Sequence, residues 1–142
     1  MAKKYLRCSI CGQLVEVVND TKVPIICCGE PMEEIIAHTN EQGLNEKHIP
    51  QFKIKDKHVD VKIGSIPHPS TTDHFIEWIT LETSKGSHTK QLKPGDAPEV
   101  VFVLADGELV QAIYAYCNIH SLWKNCVSKT KKFDAEKFNA NK

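Results

Sequence analysis

The sequence predicts an all-β chain in two parts. A small metal-bound N-terminal domain is expected over residues 1–37, then an antiparallel β-sandwich of immunoglobulin-like type over 38–126, with a basic tail at 127–142. Three observations predict it. Four of the six cysteines crowd into the first 28 residues, where apolar residues are too few to fold the segment unaided. From Phe52 onward, short alternating runs recur between turn signals. No window holds a helical period of roughly 3.6 residues with caps at both ends.

In the first part, Leu14-Val15-Glu16-Val17-Val18 is a strand candidate closed by Asn19-Asp20, and Ile25-Ile26 leads into Cys27-Cys28-Gly29. His38 to Glu46 is polar and reads as a linker or exposed loop. Phe52-Lys53-Ile54, a turn at Lys55-Asp56-Lys57 and Val59-Asp60-Val61-Lys62-Ile63 make a hairpin. His74 to Glu82 carries Phe75, Ile76, Trp78, Ile79 and Leu81, and a turn at Ser84–Ser87 passes the chain to a strand ending at Leu92. After Pro94-Gly95-Asp96, Val100 to Leu104 reads as a buried strand, and Asp106-Gly107 as a hairpin into Glu108–Tyr116. Lys124 to Lys142 is Lys-rich and reads as a solvated tail or a frayed short helix.

Composition narrows the function. Eighteen Lys+Arg balance eighteen Asp+Glu among 142 residues, which argues against a nucleic-acid module. No apolar run approaches the ~18 residues of a membrane span. The first residues carry charge but no apolar signal core, so a cytoplasmic location is expected. In a reducing cytosol, clustered cysteines are more often metal ligands than disulfides.

Cys8-x-x-Cys11-Gly12 places two thiolates on one tight turn, and Cys27-Cys28 supplies two more. Four thiolates suit zinc or iron in tetrahedral geometry, and spacing leaves that choice open. Adjacent cysteines can face one ion only with a strained backbone, so the second half of this site should be distorted. A ferric or ferrous ion in four thiolates is closed and net negative. It can hold structure or pass electrons, but it repels a small anion.

His48, His68, His74 and the pair Cys117/His120 form a second constellation, with every member near a predicted strand end. Site residues of a sandwich gather there. The Cys117-Asn118-Ile119-His120 turn also lets backbone N–H groups point at the sulfur.

Taken in order, Cys8-x-x-Cys11, Cys27-Cys28-Gly29-Glu30-Pro31-Met32, Glu46-Lys47-His48-x-Pro50, His68-Pro69, Asp73-His74 and Cys117-Asn118-x-His120-x-x-Trp123 resemble the two-iron superoxide reductases, or desulfoferrodoxins. The resemblance runs from about Tyr5 to Cys126. It implies a desulforedoxin-like N-terminal domain with one iron in the thiolates of Cys8, Cys11, Cys27 and Cys28. It implies a second, catalytic iron with His48, His68, His74 and His120 as equatorial ligands and Cys117 as the axial one. Glu46 and Lys47 would sit on the loop over the open face. The implied activity is one-electron reduction of superoxide to hydrogen peroxide, with re-reduction by an external donor such as rubredoxin, in a homodimer.

Charge supports that division of labour. Neutral imidazoles add nothing, so a ferrous ion with one thiolate is net positive and attracts superoxide, while Lys47 steers the anion inward. Two departures stand out: the family often has Gly where this chain has Ser121, and Cys126 has no counterpart. His38, His58 and His88 match no motif and read as surface residues. The runner-up function is a non-catalytic two-iron electron carrier, which a sixth protein ligand on the second iron would mark.

Overall fold

The computed structural model describes residues 3–39 and 48–127. Every named element is a strand, and the chain divides into two compact units, Met1–Ile36 and Ala37–Lys142. Among the described residues no helix is long and apolar enough to cross a membrane.

In the first unit, β1 (Lys4–Arg7) pairs antiparallel with both β2 (Leu14–Val17) and β5 (Glu33–Ile35). A minimal hairpin, β3 (Ile26–Cys27) with β4 (Glu30–Pro31), carries the second cysteine pair. The predicted strand at Leu14 is present; β1 and β5 went unpredicted because their charged residues hide the apolar ones. The unit buries few apolar side chains, chiefly Tyr5 and Leu6. Ile10, Val18, Val23, Ile26 and Ile36 are exposed. So small a core cannot offset the entropy of ordering the segment.

The second unit is the expected sandwich. One sheet runs β10 (Glu99–Val103), β7 (His58–Ile63), β6 (Pro50–Lys55). The other runs β12 (Ser121–Cys126), β11 (Val110–Cys117), β8 (Ile76–Thr83), β9 (Gly86–Gln91). In β7 Val59, Val61 and Ile63 point inward while His58, Asp60 and Lys62 face outward or toward the rim, as a half-buried strand requires. They meet Ile76, Ile79, Leu81, Phe102, Ile113 and Ala115 in one core that also includes Cys117. At about 25 cal/mol per Å² of apolar area, each such side chain contributes on the order of 2 kcal/mol.

Five expectations need correction. The stretch read as a buried strand from Val100 to Leu104 contains β10; it turns Phe102 and Leu104 inward but leaves Val101 and Val103 exposed, as one face of an edge strand. Asp106-Gly107 does not form a hairpin: β10 pairs with β7 and β11 with β8, so this turn carries the chain from one sheet to the other. The buried Glu108 carboxylate anchors it, accepting the Ala105 N–H at 2.8 Å, the Thr83 hydroxyl, and a 3.1 Å bond from His88. His88 is therefore a half-buried structural residue rather than a surface one, whereas His58 is exposed as expected. Lys124–Cys126 are not tail but the end of β12, and the Val127 N–H bonds the Gln111 carbonyl at 2.9 Å. Burial of Leu122 on one face and of Trp123 on the other holds that strand in the sheet despite the lysines. His38 is not linker either. Its N–H donates to the Leu122 carbonyl at 2.8 Å, and its carbonyl accepts the Lys124 N–H at 3.0 Å. The rest of that expected linker, residues 40–46, lies outside the described residues, as does the tail from residue 128.

Candidate metal centres

In the first unit, one ligand atom from each of Cys8, Cys11, Cys27 and Cys28 lies within 4.8 Å of every other. The knuckle is closed by Gly12 N–H to Cys8 carbonyl (3.0 Å) and Cys8 N–H to Gln13 carbonyl (2.9 Å). The Cys11 N–H points at Cys8 Sγ (3.4 Å), and the sulfurs of Cys11 and Cys27 stand 3.6 Å apart. Backbone N–H groups of Cys11 and Ile10 hold the Cys8 thiol down at about 6, toward the thiolate that binds metal. Contact with the sulfurs of Cys8 and Cys11 pushes Cys27 up, since four anions cannot crowd together without a cation. The strain expected of adjacent cysteines is present: Cys28 has φ 53° and Gly29 φ 79°, two successive left-handed residues.

The second centre follows from strand register. Pro50 pairs with Ile63, Ile76 with Cys117, and Cys117 with Ser121. The start of β6, the ends of β7 and β11, and the starts of β8 and β12 therefore share one end of the sandwich. His48 precedes β6, His68 follows β7, His74 precedes β8, Cys117 closes β11 and His120 precedes β12. A register shift at Tyr116/Cys117 leaves Glu77 as the extra residue of β8, a bulge at the rim of the site.

Ring centroids are 4.8 Å apart for His48–His68, 4.6 Å for His68–His74, 5.1 Å for His74–His120 and 4.6 Å for His120–His48. The His48–His74 separation is 6.3 Å. Four near-equal sides with a longer diagonal make a square of imidazoles, each tilted 63° to 79° from its neighbours. Cys117 Sγ lies 3.8 Å from His120 Nδ1 and accepts the His120 N–H at 3.4 Å. Ligand atoms of His48, His74, Cys117 and His120 all fall within 4.8 Å of one another.

His48, His68 and Cys117 are buried, while His74 and His120 are half-buried. Burial pulls the His68 imidazole down to about 4, with help from the three neighbouring imidazoles, so it stays neutral. Its Nδ1–H donates to the Pro69 carbonyl at 2.7 Å, which leaves the Nε2 lone pair inward. That Nε2 is buried without a hydrogen-bond partner among the described residues. Burial pushes the Cys117 thiol up, against the pull of the His120 and Ile119 N–H groups. A buried thiol beside four convergent imidazoles suits a divalent transition metal, whose binding would displace the thiol proton.

Of the predicted site residues, nine fall into these two clusters. Glu46 and Lys47 lie outside the described residues. Two contributors went unrecognised. Trp123, buried, stacks on His48 (4.8 Å, 22°) and lies 4.7 Å from the His38 ring, while its indole N–H donates to the His120 carbonyl at 3.0 Å. It thus touches two site histidines that are far apart in sequence. Asn118 reaches the backbone on both sides of His74. Both belong to the Cys117–Trp123 motif, but spacing alone did not show which partners they would find.

The desulfoferrodoxin N-terminal domain model matches residues 2–35, and the desulfoferrodoxin model matches residues 40–126. The chain belongs to the desulfoferrodoxin family. Its two donor clusters match the two iron centres of that family, one of four cysteines and one of four histidines and a cysteine. A desulfoferrodoxin homolog of Archaeoglobus fulgidus is 40% identical over 119 residues, covering 84% of this chain and 93% of that protein. The desulfoferrodoxin of Nitratidesulfovibrio vulgaris is 40% identical over 118 residues, covering 83% and 91%. Among solved structures, the superoxide reductase from Treponema pallidum aligns with a TM-score of 0.73 at 30% identity, over 87% of this chain and 97% of that one. The fold is thus of superoxide reductase type.

Proposed function

We propose that this desulfoferrodoxin is a superoxide reductase. It would take one electron from iron and two protons from solvent to turn each superoxide into hydrogen peroxide, with a small external redox protein such as rubredoxin restoring the electron. The observation that carries the reading is the square of four imidazoles with a buried thiol beside it, at one end of the sandwich. The likeness in fold to the superoxide reductase from Treponema pallidum supports it.

His48, His68, His74, His120 and Cys117 are the proposed ligands of the catalytic iron, and Cys8, Cys11, Cys27 and Cys28 those of the four-thiolate iron. When bound, the catalytic iron supplies the single electron that superoxide takes up. The chain's residues do the rest. Neutral imidazoles and one thiolate leave the centre net positive, which draws in a small anion. The N–H groups of His120 and Ile119 share charge with the Cys117 sulfur and temper its donation. His48 and His68, buried within the wall of the site, keep two sides of the square fixed. Lys47 is assigned to steering superoxide toward the centre, and Glu46 to the loop over its open face. The four-thiolate centre, closed and negative, is assigned to structure and electron passage.

Stoichiometry tests this reading. Anaerobically reduced protein given superoxide should yield one hydrogen peroxide per superoxide consumed with no release of dioxygen. Dioxygen release at half the superoxide consumed would make it a dismutase. Iron that cycles without consuming superoxide would make it an electron carrier.

A further inference from the structure

Asn118 lies between Cys117 and His120 in sequence, yet its side chain serves a third site residue. Its Oδ1 accepts the Phe75 N–H at 3.0 Å, and its Nδ2–H donates to the Asp73 carbonyl at 2.9 Å. Its backbone N–H donates to the Phe75 carbonyl at 3.3 Å. These groups flank His74 on both sides. His74 itself is tied to Thr71, its N–H donating to Thr71 Oγ1 at 3.1 Å and its carbonyl accepting the Thr71 N–H at 3.0 Å.

The β8–β11 ladder explains why a side chain is used. Its last register pair is Cys117 with Ile76. After the Asn118 N–H bonds the Phe75 carbonyl the backbone leaves the sheet, because the turn must aim the Ile119 and His120 N–H groups at Cys117 Sγ. The Phe75 N–H would then face no strand carbonyl. The Asn118 amide supplies one, and its nitrogen takes the Asp73 carbonyl as well. An N–H on one side and a C=O on the other fix the orientation of the amide. An ionised Asp has no donor for the Asp73 carbonyl, Ser is too short to span both groups, and Gln carries an extra methylene.

We propose that Asn118 is a positioning residue of the histidine–cysteine centre. It locks the segment that carries His74 to the Cys117–His120 turn, so one turn sets three of the five donors. This rests on the ligand assignment proposed above. It also gives a physical reason for an asparagine at this place in the motif: its side chain supplies the acceptor for Phe75 that the departing backbone no longer offers.

The test compares the iron-loaded chain with N118A and N118D, using anaerobic competition for iron(II) against a chelator, the thiolate-to-iron charge-transfer band of the oxidised protein, and thermal unfolding. N118A should lose affinity for the second iron by about tenfold or more and shift the band, with the four-thiolate iron retained. N118D keeps the acceptor for Phe75 and should show a smaller loss in the same direction. Affinity and band both unchanged in the two variants would overturn the proposal. Should N118A fail to fold, N118D decides alone by the same criterion. A fall in thermal stability with an unmoved band would also overturn it, since that is all a merely structural contact gives. Neither readout uses superoxide, so an inactive wild type would overturn the proposed activity alone.

Discussion

The two units reach metal sites by opposite routes. In Met1–Ile36 the strands are short, the core is little more than Tyr5 and Leu6, and four cysteines from two separate turns bring their sulfurs together. In Ala37–Lys142 a core of thirteen buried side chains among the described residues holds the sandwich, and the donors hang from the ends of its strands. The ion helps make the first fold, whereas the second fold makes the ion's place. The same contrast appears in the backbone. Besides Lys22 and Asp56, which lie between strands, the left-handed non-glycine residues of the described chain stand at a ligand in the first unit, Cys28, and just past one in the second, Ser121 with φ 67°.

Substitutions should separate the two routes. The largest effect is expected from Cys117→Ser, which should abolish superoxide reduction and the thiolate-to-iron charge-transfer band while leaving the four-thiolate chromophore intact; a retained band would place the sulfur elsewhere. Cys8→Ser should cost the N-terminal ion and with it the protection of β1 and β2 against amide hydrogen exchange, but spare the sandwich and its reaction with superoxide. Loss of exchange protection in β7 and β11 would show the two units to be one cooperative fold.

Lys47→Ile should slow the second-order reaction with superoxide by about tenfold at low salt, with the gap closing as ionic strength rises. Pulse radiolysis reads this directly, and equal rates at low salt would remove Lys47 from the steering role.

A further difference is acid sensitivity. The Thr83 hydroxyl, the Ala105 N–H and His88 hold the Glu108 carboxyl down at about 2. A depressed carboxyl adds stability above its ordinary value of 4.5, and that stability is lost as pH falls toward about 2. Denaturant midpoints of the sandwich should therefore drop over that window, and Glu108→Gln should flatten the drop. The smallest effect is expected from Ser121→Gly. Relief of a left-handed non-glycine residue should raise stability by about 1 kcal/mol, read as a shift in the denaturation midpoint.

Much of this was legible in the chain. Alternation at Val59-Asp60-Val61 announced β7, and the cysteine and histidine motifs marked both clusters. What stayed hidden depended on partners distant in sequence. The Asp106-Gly107 dipeptide signals a turn, but whether it joins two paired strands or two sheets depends on where Glu108 finds its donors. The lysines near the end of the chain concealed β12, whose inward residues matter more than its outward ones. His38 showed no motif because its contacts are to a strand that begins at Ser121.

The register pairs that bring His48, His74 and Cys117 to one end of the sandwich have a consequence for biogenesis. The four-cysteine knot is complete within the first 28 residues and can capture its ion while the rest is still being synthesised. The other donor set is complete only at His120, where β12 turns back onto β11, so that site depends on contacts made by nearly the whole sandwich.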